Sequence, residues 1–177
     1  MDTCSYQELC EIHGKPHGKG SVTVIERESR TVRSLPTGDG AEGIDVSPDG
    51  REVWVTNRGA NTISVVSVAH DSVTTSFESG GTMPIRAKFT PDGRQLLVSL
   101  NGEDRLAILD VASSRVTQKV RVGRGPIQVF ATADQRSALV ANQGTQQRPD
   151  NRVCLVPLDR PGTVQHIVTG ADAHGVT

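Results

Sequence analysis

Apolar residues in this chain fall in short runs, each closed by turn-forming residues, and the stretch Gly38 to Gly80 shows the pattern most fully. Ile44 to Ser47 forms a first run. It leads into Pro48-Asp49-Gly50, where proline fixes φ and glycine accepts a positive φ, so a tight turn is expected. Val53 to Thr56, β-branched apart from Trp54, is the second, and Asn57-Arg58-Gly59-Ala60-Asn61 turns the chain again. Ile63 to Val68 and Val73 to Phe77 complete the set. Four strands in about 43 residues, with loops too short for a crossover helix, predict an antiparallel meander.

The unit repeats. Asp49-Gly50 returns as Asp92-Gly93 and, with its glycine lost, as Asp134-Gln135. Trp54-Val55-Thr56-Asn57 returns as Leu97-Val98-Ser99-Leu100 and Leu139-Val140-Ala141-Asn142. Third strands occur four times, at Val22 to Ile25, Ile63 to Val66, Leu106 to Leu109 and Val153 to Val156. Gly38, Gly80, Gly123 and Gly170 close the repeats. A period of 40 to 45 residues with four strands per repeat marks the blades of an all-β propeller. The expected division is an irregular segment 1–20, a half blade 21–38, blades 39–80, 81–123 and 124–170, and the start of another at 171–177.

The run Val53 to Val66, preceded by Gly43 to Gly50, resembles the YVTN β-propeller repeat family of archaeal surface-layer proteins and bacterial exported propellers. Trp54 stands where that family has tyrosine. Leu100 replaces the asparagine in the second copy, and Ala133 and Gln135 replace proline and glycine in the third. The resemblance spans roughly residues 20 to 177 and implies a seven-bladed ring of which this chain carries a little over half. It also implies the periplasm or cell surface, whereas residues 1–20 lack the apolar run of a secretory signal, which read literally means cytoplasm. Open terminal blades would then present unpaired edges and an apolar face for self-association.

Composition narrows the function. Net charge is −1, so no long-range field favours nucleic acid or an anionic membrane, and aromatic content of 3% leaves few stacking platforms. No apolar segment is long enough to span a bilayer. Neither a nucleophile elbow nor a His-Glu-x-x-His or phosphate-cradling loop occurs, so no catalytic residue and no cofactor are assigned.

Three places hold candidate chemistry. Cys10, His13 and His17, with Cys4 nearby, offer zinc-ligand types at short spacing. The equivalent third-copy insertion, Gln143 to Asp150, has no such ligands, which favours a plain loop. Cys154 occupies a third-strand column held elsewhere by Thr23, Ser64 and Ala107, and reads as a packed thiol with no histidine expected in the adjoining strands. The entrance to the innermost strands aligns Glu42, Arg86, Gln128 and His174, a polar set for a protein or small-molecule ligand at the channel mouth. Asp45 and Lys88, two positions further in, are expected to pair across blades.

Asn57 and Asn142 are expected to close their own turns, and Asp49, Asp92 and Asp134 to do the same before each second strand. Two function classes follow: a non-catalytic binding scaffold, or part of a propeller enzyme of lactonase, haem d1 or quinone-associated oxidoreductase type, which the resemblance admits.

Overall fold

The computed structural model describes residues 18–170 and 173–175. The short β-branched runs all become strands. β1 (Ser21–Ile25) and β2 (Val32–Pro36) form a two-stranded sheet. β3 (Ala41–Val46), β4 (Glu52–Asn57), β5 (Thr62–Ser67) and β6 (Ser72–Glu78) form a four-stranded antiparallel meander. A second meander holds β7 (Pro84–Phe89), β8 (Gln95–Leu100), β9 (Arg105–Asp110) and β10 (Arg115–Arg121). The third is β11 (Pro126–Ala131), β12 (Ser137–Thr145), β13 (Arg148–Pro157) and β14 (Gln165–Val168). First strands lie innermost: β3 packs beside β7, and β7 beside β11.

The continuous apolar runs of β8 and β9 follow from burial on both sheet faces. Leu96, Val98 and Leu100 point to one neighbouring blade with Ala107 and Leu109, joining Trp54, Ile63 and Phe89 in one core. Leu97, Leu106 and Ile108 point the other way, joining Val129, Val140, Cys154 and Val156 in a second. Each core fills a gap between adjacent blades. Three of the chain's few aromatics meet in the first, Trp54 standing edge-to-face with Phe77 at 5.4 Å and with Phe89 at 5.5 Å between centroids.

Large exposed apolar side chains sit on the end sheets, at Ile25, Val32, Ile167 and Val168, and on the inner strand β3, at Ile44 and Val46. No helix among the described residues is long and apolar enough to cross a membrane.

The turns before each second strand keep one geometry through the loss of their glycine. Asp49, Asp92 and Asp134 each accept the hydroxyl of Ser47, Thr90 or Thr132 at 2.6 Å and the amide two residues on at 3.1 Å. These bonds hold all three carboxyls below their ordinary range. Gly50 and Gly93 take φ of +72° and +70°, and Gln135 takes +60° in the same place. The side-chain bonds hold a non-glycine residue in the left-handed region.

The asparagines behave otherwise than expected. Asn57 is a buried strand residue whose Nδ2 donates to Thr62 and Ser64 at 3.0 and 2.9 Å. Asn142 is buried likewise and donates to the carbonyls of Val140 and Arg152 and to Cys154 Sγ. A Cβ on Gly38 or Gly123 would strike these two side chains at under 3 Å, so each asparagine is packed under the preceding linker. Leu100 lies the same way beneath Gly81. The left-handed turn residue is Asn61 (φ +59°), matched by Asp104 (φ +56°), and each accepts an amide of the next linker, from Met83 and Gly125 respectively.

Candidate functional site

Pairing breaks at the start of each inner strand, where the channel-mouth residues were expected. Register shifts between Ala41 and Ile44 against β4, between Pro84 and Ala87 against β8, and between Pro126 and Gln128 against β12. Such bulges turn side chains out of the sheet. A motif hydroxyl on the second strand holds the first two: Gly43 N–H donates to Thr56 Oγ1 at 2.8 Å and Arg86 N–H to Ser99 Oγ at 3.0 Å. The third copy has Ala141 there, opposite Gln128, and no hydroxyl. Thr56 also donates to the carbonyl of Ile85 at 2.9 Å, tying one blade to the next.

These bulges bring part of the expected set together. Arg86 Nη1 donates to the backbone carbonyl of Glu42 at 3.0 Å, across blades. The Glu42 carboxylate lies 3.5 Å from Arg58 Nη1, whose side chain is only 15% exposed. Arg58 Nε is buried without a hydrogen-bond partner among the described residues. Glu42 is thus met by two guanidiniums, Arg58 at its carboxylate and Arg86 at its backbone carbonyl. Gln128 is half-buried at the equivalent place on β11 and His174 is exposed, and among the described residues neither is hydrogen-bonded to the Glu42 group. Arg58 was legible only as a turn residue; its carboxylate partner becomes visible once β3 and the β4–β5 turn share a face.

Further along the channel wall the expected pair is present. Lys88 Nζ lies 2.9 Å from Asp45 Oδ1, and Phe89 N–H donates to Asp45 Oδ2 at 2.8 Å. Asp45 thus bridges β3 to β7 with both oxygens. It is engaged in holding blades together and has little left for a ligand.

Cys154 requires a correction. His166 on β14 stands directly opposite it, with Nδ1 3.2 Å from Sγ. The strand following Val156 begins only after a loop, which hid the register from inspection of the sequence. Cys154 remains fully buried, and burial pushes its thiol up, so it is a neutral thiol in a core and no nucleophile. The candidate metal ligands Cys10, His13 and His17 lie outside the described residues. Among the described residues no group of three or more metal-ligating side chains converges.

His70 and Asp71 lie on a turn as expected, but only His70 is exposed: Asp71 is half-buried and forms an ion pair with Arg33 of the preceding sheet.

Residues 18–138 match the family model described as YNCE-like beta-propeller. The chain belongs to that family. No curated protein matches it in sequence. Among solved structures of similar fold is hydrazine synthase from Kuenenia stuttgartiensis, at a TM-score of 0.70 and 24% identity over 76% of this chain and 37% of that one. Another is the dihydro-heme d1 dehydrogenase NirN in complex with DHE, at 0.67 and 18%, covering 85% of this chain and 33% of that one. A third is a catalytically inactive virginiamycin B lyase from Staphylococcus aureus with quinupristin, at 0.67 and 15%, covering 84% and 48%. At these identities the likeness is one of fold. The chain of this YNCE-like propeller spans between a third and a half of the length of those structures.

Proposed function

We propose that this YNCE-like chain is a non-catalytic β-propeller module that binds a protein or small-molecule ligand at the channel mouth. In this reading it belongs to a longer protein exported to the periplasm or cell surface, as the YVTN-type repeats suggest. The observation that carries the proposal is the meeting of two arginines from two blades at Glu42, Arg58 beside its carboxylate and Arg86 donating to its backbone carbonyl. Guanidiniums so placed suit a carboxylate, such as a peptide C-terminus. Repetition of the other motif residues supports the scaffold side, because Thr56, Ser99, Asn57 and Asn142 are all consumed by blade architecture.

The test is calorimetric titration with short peptides carrying a free or an amidated C-terminus. Binding confined to the free carboxylate, and lost in Arg58→Ala with Arg86→Ala, supports the proposal; equal binding of both peptides refutes it. A second reading, part of a propeller enzyme, takes its support from the enzymes among the structures of similar fold. Haem or a divalent metal that raised the melting temperature would favour it, since a ligand at 100 times its dissociation constant adds about 2.7 kcal/mol.

A further inference from the structure

A cleft of about 300 Å³ opens between the last two blades, lined by Asp104, Arg121, Val122, Arg124, Arg152 and His166. It lies on the same face as the channel mouth but further from the axis, because it is walled by third and fourth strands and the linker between blades. Three arginines stand there against two acids, Asp104 in the lining and Asp150 beside it. Asp104 Oδ1 accepts the amide of Gly125 at 3.0 Å, and Asp150 Oδ2 accepts the amide of Arg124 at 2.8 Å, so both nearby acids also hold the linker. Asp150 also takes Arg152 in a two-point pair, at 2.8 Å to Nε and 2.6 Å to Nη2. Arg121 and Arg124 have no carboxylate within ion-pair distance among the described residues, and both are exposed. Two guanidiniums without an ion pair among the described residues, and a third held by Asp150, thus line one opening.

His166 completes the lining through a chain of bonds that begins in the core. Asn142 Nδ2 donates to Cys154 Sγ at 3.3 Å, and the same sulfur lies 3.2 Å from His166 Nδ1. This contact orients the ring and leaves Nε2 as the nitrogen not engaged with Cys154.

We infer that this cleft is a binding site, separate from the channel mouth, for the carboxylate or phosphate group of a small anionic molecule. Arg121 and Arg124 supply the charge, Arg152 stays paired with Asp150 at the wall, and His166, oriented by Cys154, supplies a further N–H. The volume sits at the low end for small-molecule pockets, which limits the occupant to metabolite size. Guanidinium forks match oxyanions in two-point geometry, and such charge-assisted bonds are the strong ones.

The experiment is calorimetric titration of the full chain with succinate and, separately, inorganic phosphate, at ionic strength matched by chloride. One or both anions bind with one site per chain, and the tighter of the two identifies a planar or a tetrahedral group. Arg121→Gln and Arg124→Gln each weaken binding about 10- to 100-fold, the range expected for losing a charge-assisted bond. Arg136→Gln, the same charge change on an exposed turn at the opposite end of the blade, leaves it unaltered. Melting curves without anion verify that the variants fold. Nitrogen-15 NMR of the His166 ring gives a second readout: the Nε2 signal shifts as anion is added. Absence of binding by both anions, an equal loss in Arg136→Gln, or a ring signal that does not respond overturns the inference.

Discussion

Replacing Asp150 with asparagine should destabilise the protein by about 2 kcal/mol at pH 7, and the deficit should vanish in acid. Asp150 is 2% exposed, paired at two points with Arg152 and bonded to the linker amide of Arg124. These contacts, the Arg152 bonds foremost, lower its carboxyl from 3.8 to about 2. A depressed folded-state value means the ionised form favours folding. Its contribution is therefore complete above the unfolded value of 3.8, declines as pH falls toward 2, and is absent below. A tenfold change in a protonation equilibrium is worth about 1.36 kcal/mol, so a fall from 3.8 to about 2 amounts to roughly 2 kcal/mol. Asparagine keeps the size and one acceptor but cannot carry the charge. Urea unfolding followed by far-ultraviolet circular dichroism, on both proteins from pH 7 downward, isolates the effect from the other acids, which are common to both. A wild-type advantage that narrows between about pH 5 and pH 2 is the expected result. A gap that stays constant across that range, or no gap at pH 7, would refute the reasoning.

Three further outcomes are expected. Gln135→Gly should raise stability by about 1 kcal/mol by relieving a left-handed residue where the other copies have glycine, and a lowered melting temperature would count against the shared turn geometry. Thr56→Val should cost about 2 kcal/mol, because its buried hydroxyl serves the Gly43 amide and the Ile85 carbonyl of the next blade; a loss too small to measure by urea unfolding would show that the inter-blade bond contributes nothing. Trp54→Ala should cost about 3–5 kcal/mol by emptying the aromatic core between two blades, and a midpoint close to wild type would show that the blades pack without it.

The sequence by itself determined the strands, their antiparallel order and the blade period, because these depend on local punctuation and on alternation that a reader can count. Pro48, Gly50, Pro91 and Gly93 mark turns through their own backbone preferences, and the apolar runs at Leu96–Val98 and Leu106–Leu109 mark strands buried on both faces. The Asp45–Lys88 pair was legible for the same reason, since a fixed period puts equivalent positions of neighbouring blades side by side.

Only the tertiary structure decided where side chains meet across irregular segments. The loop after Val156 has no counterpart in the other copies, so the register that sets His166 against Cys154 could not be counted. Asn57 and Asn142 resemble turn residues in sequence, yet a neighbouring glycine linker lies over each and buries it. Arg121, Arg124 and Arg152 are scattered arginines along the chain, and they face one cleft because two carboxylates, Asp104 and Asp150, hold the linker between blades by its amides. Local propensities act within a few residues and survive in the sequence as pattern, whereas sites between blades are set by register and packing between strands far apart in it.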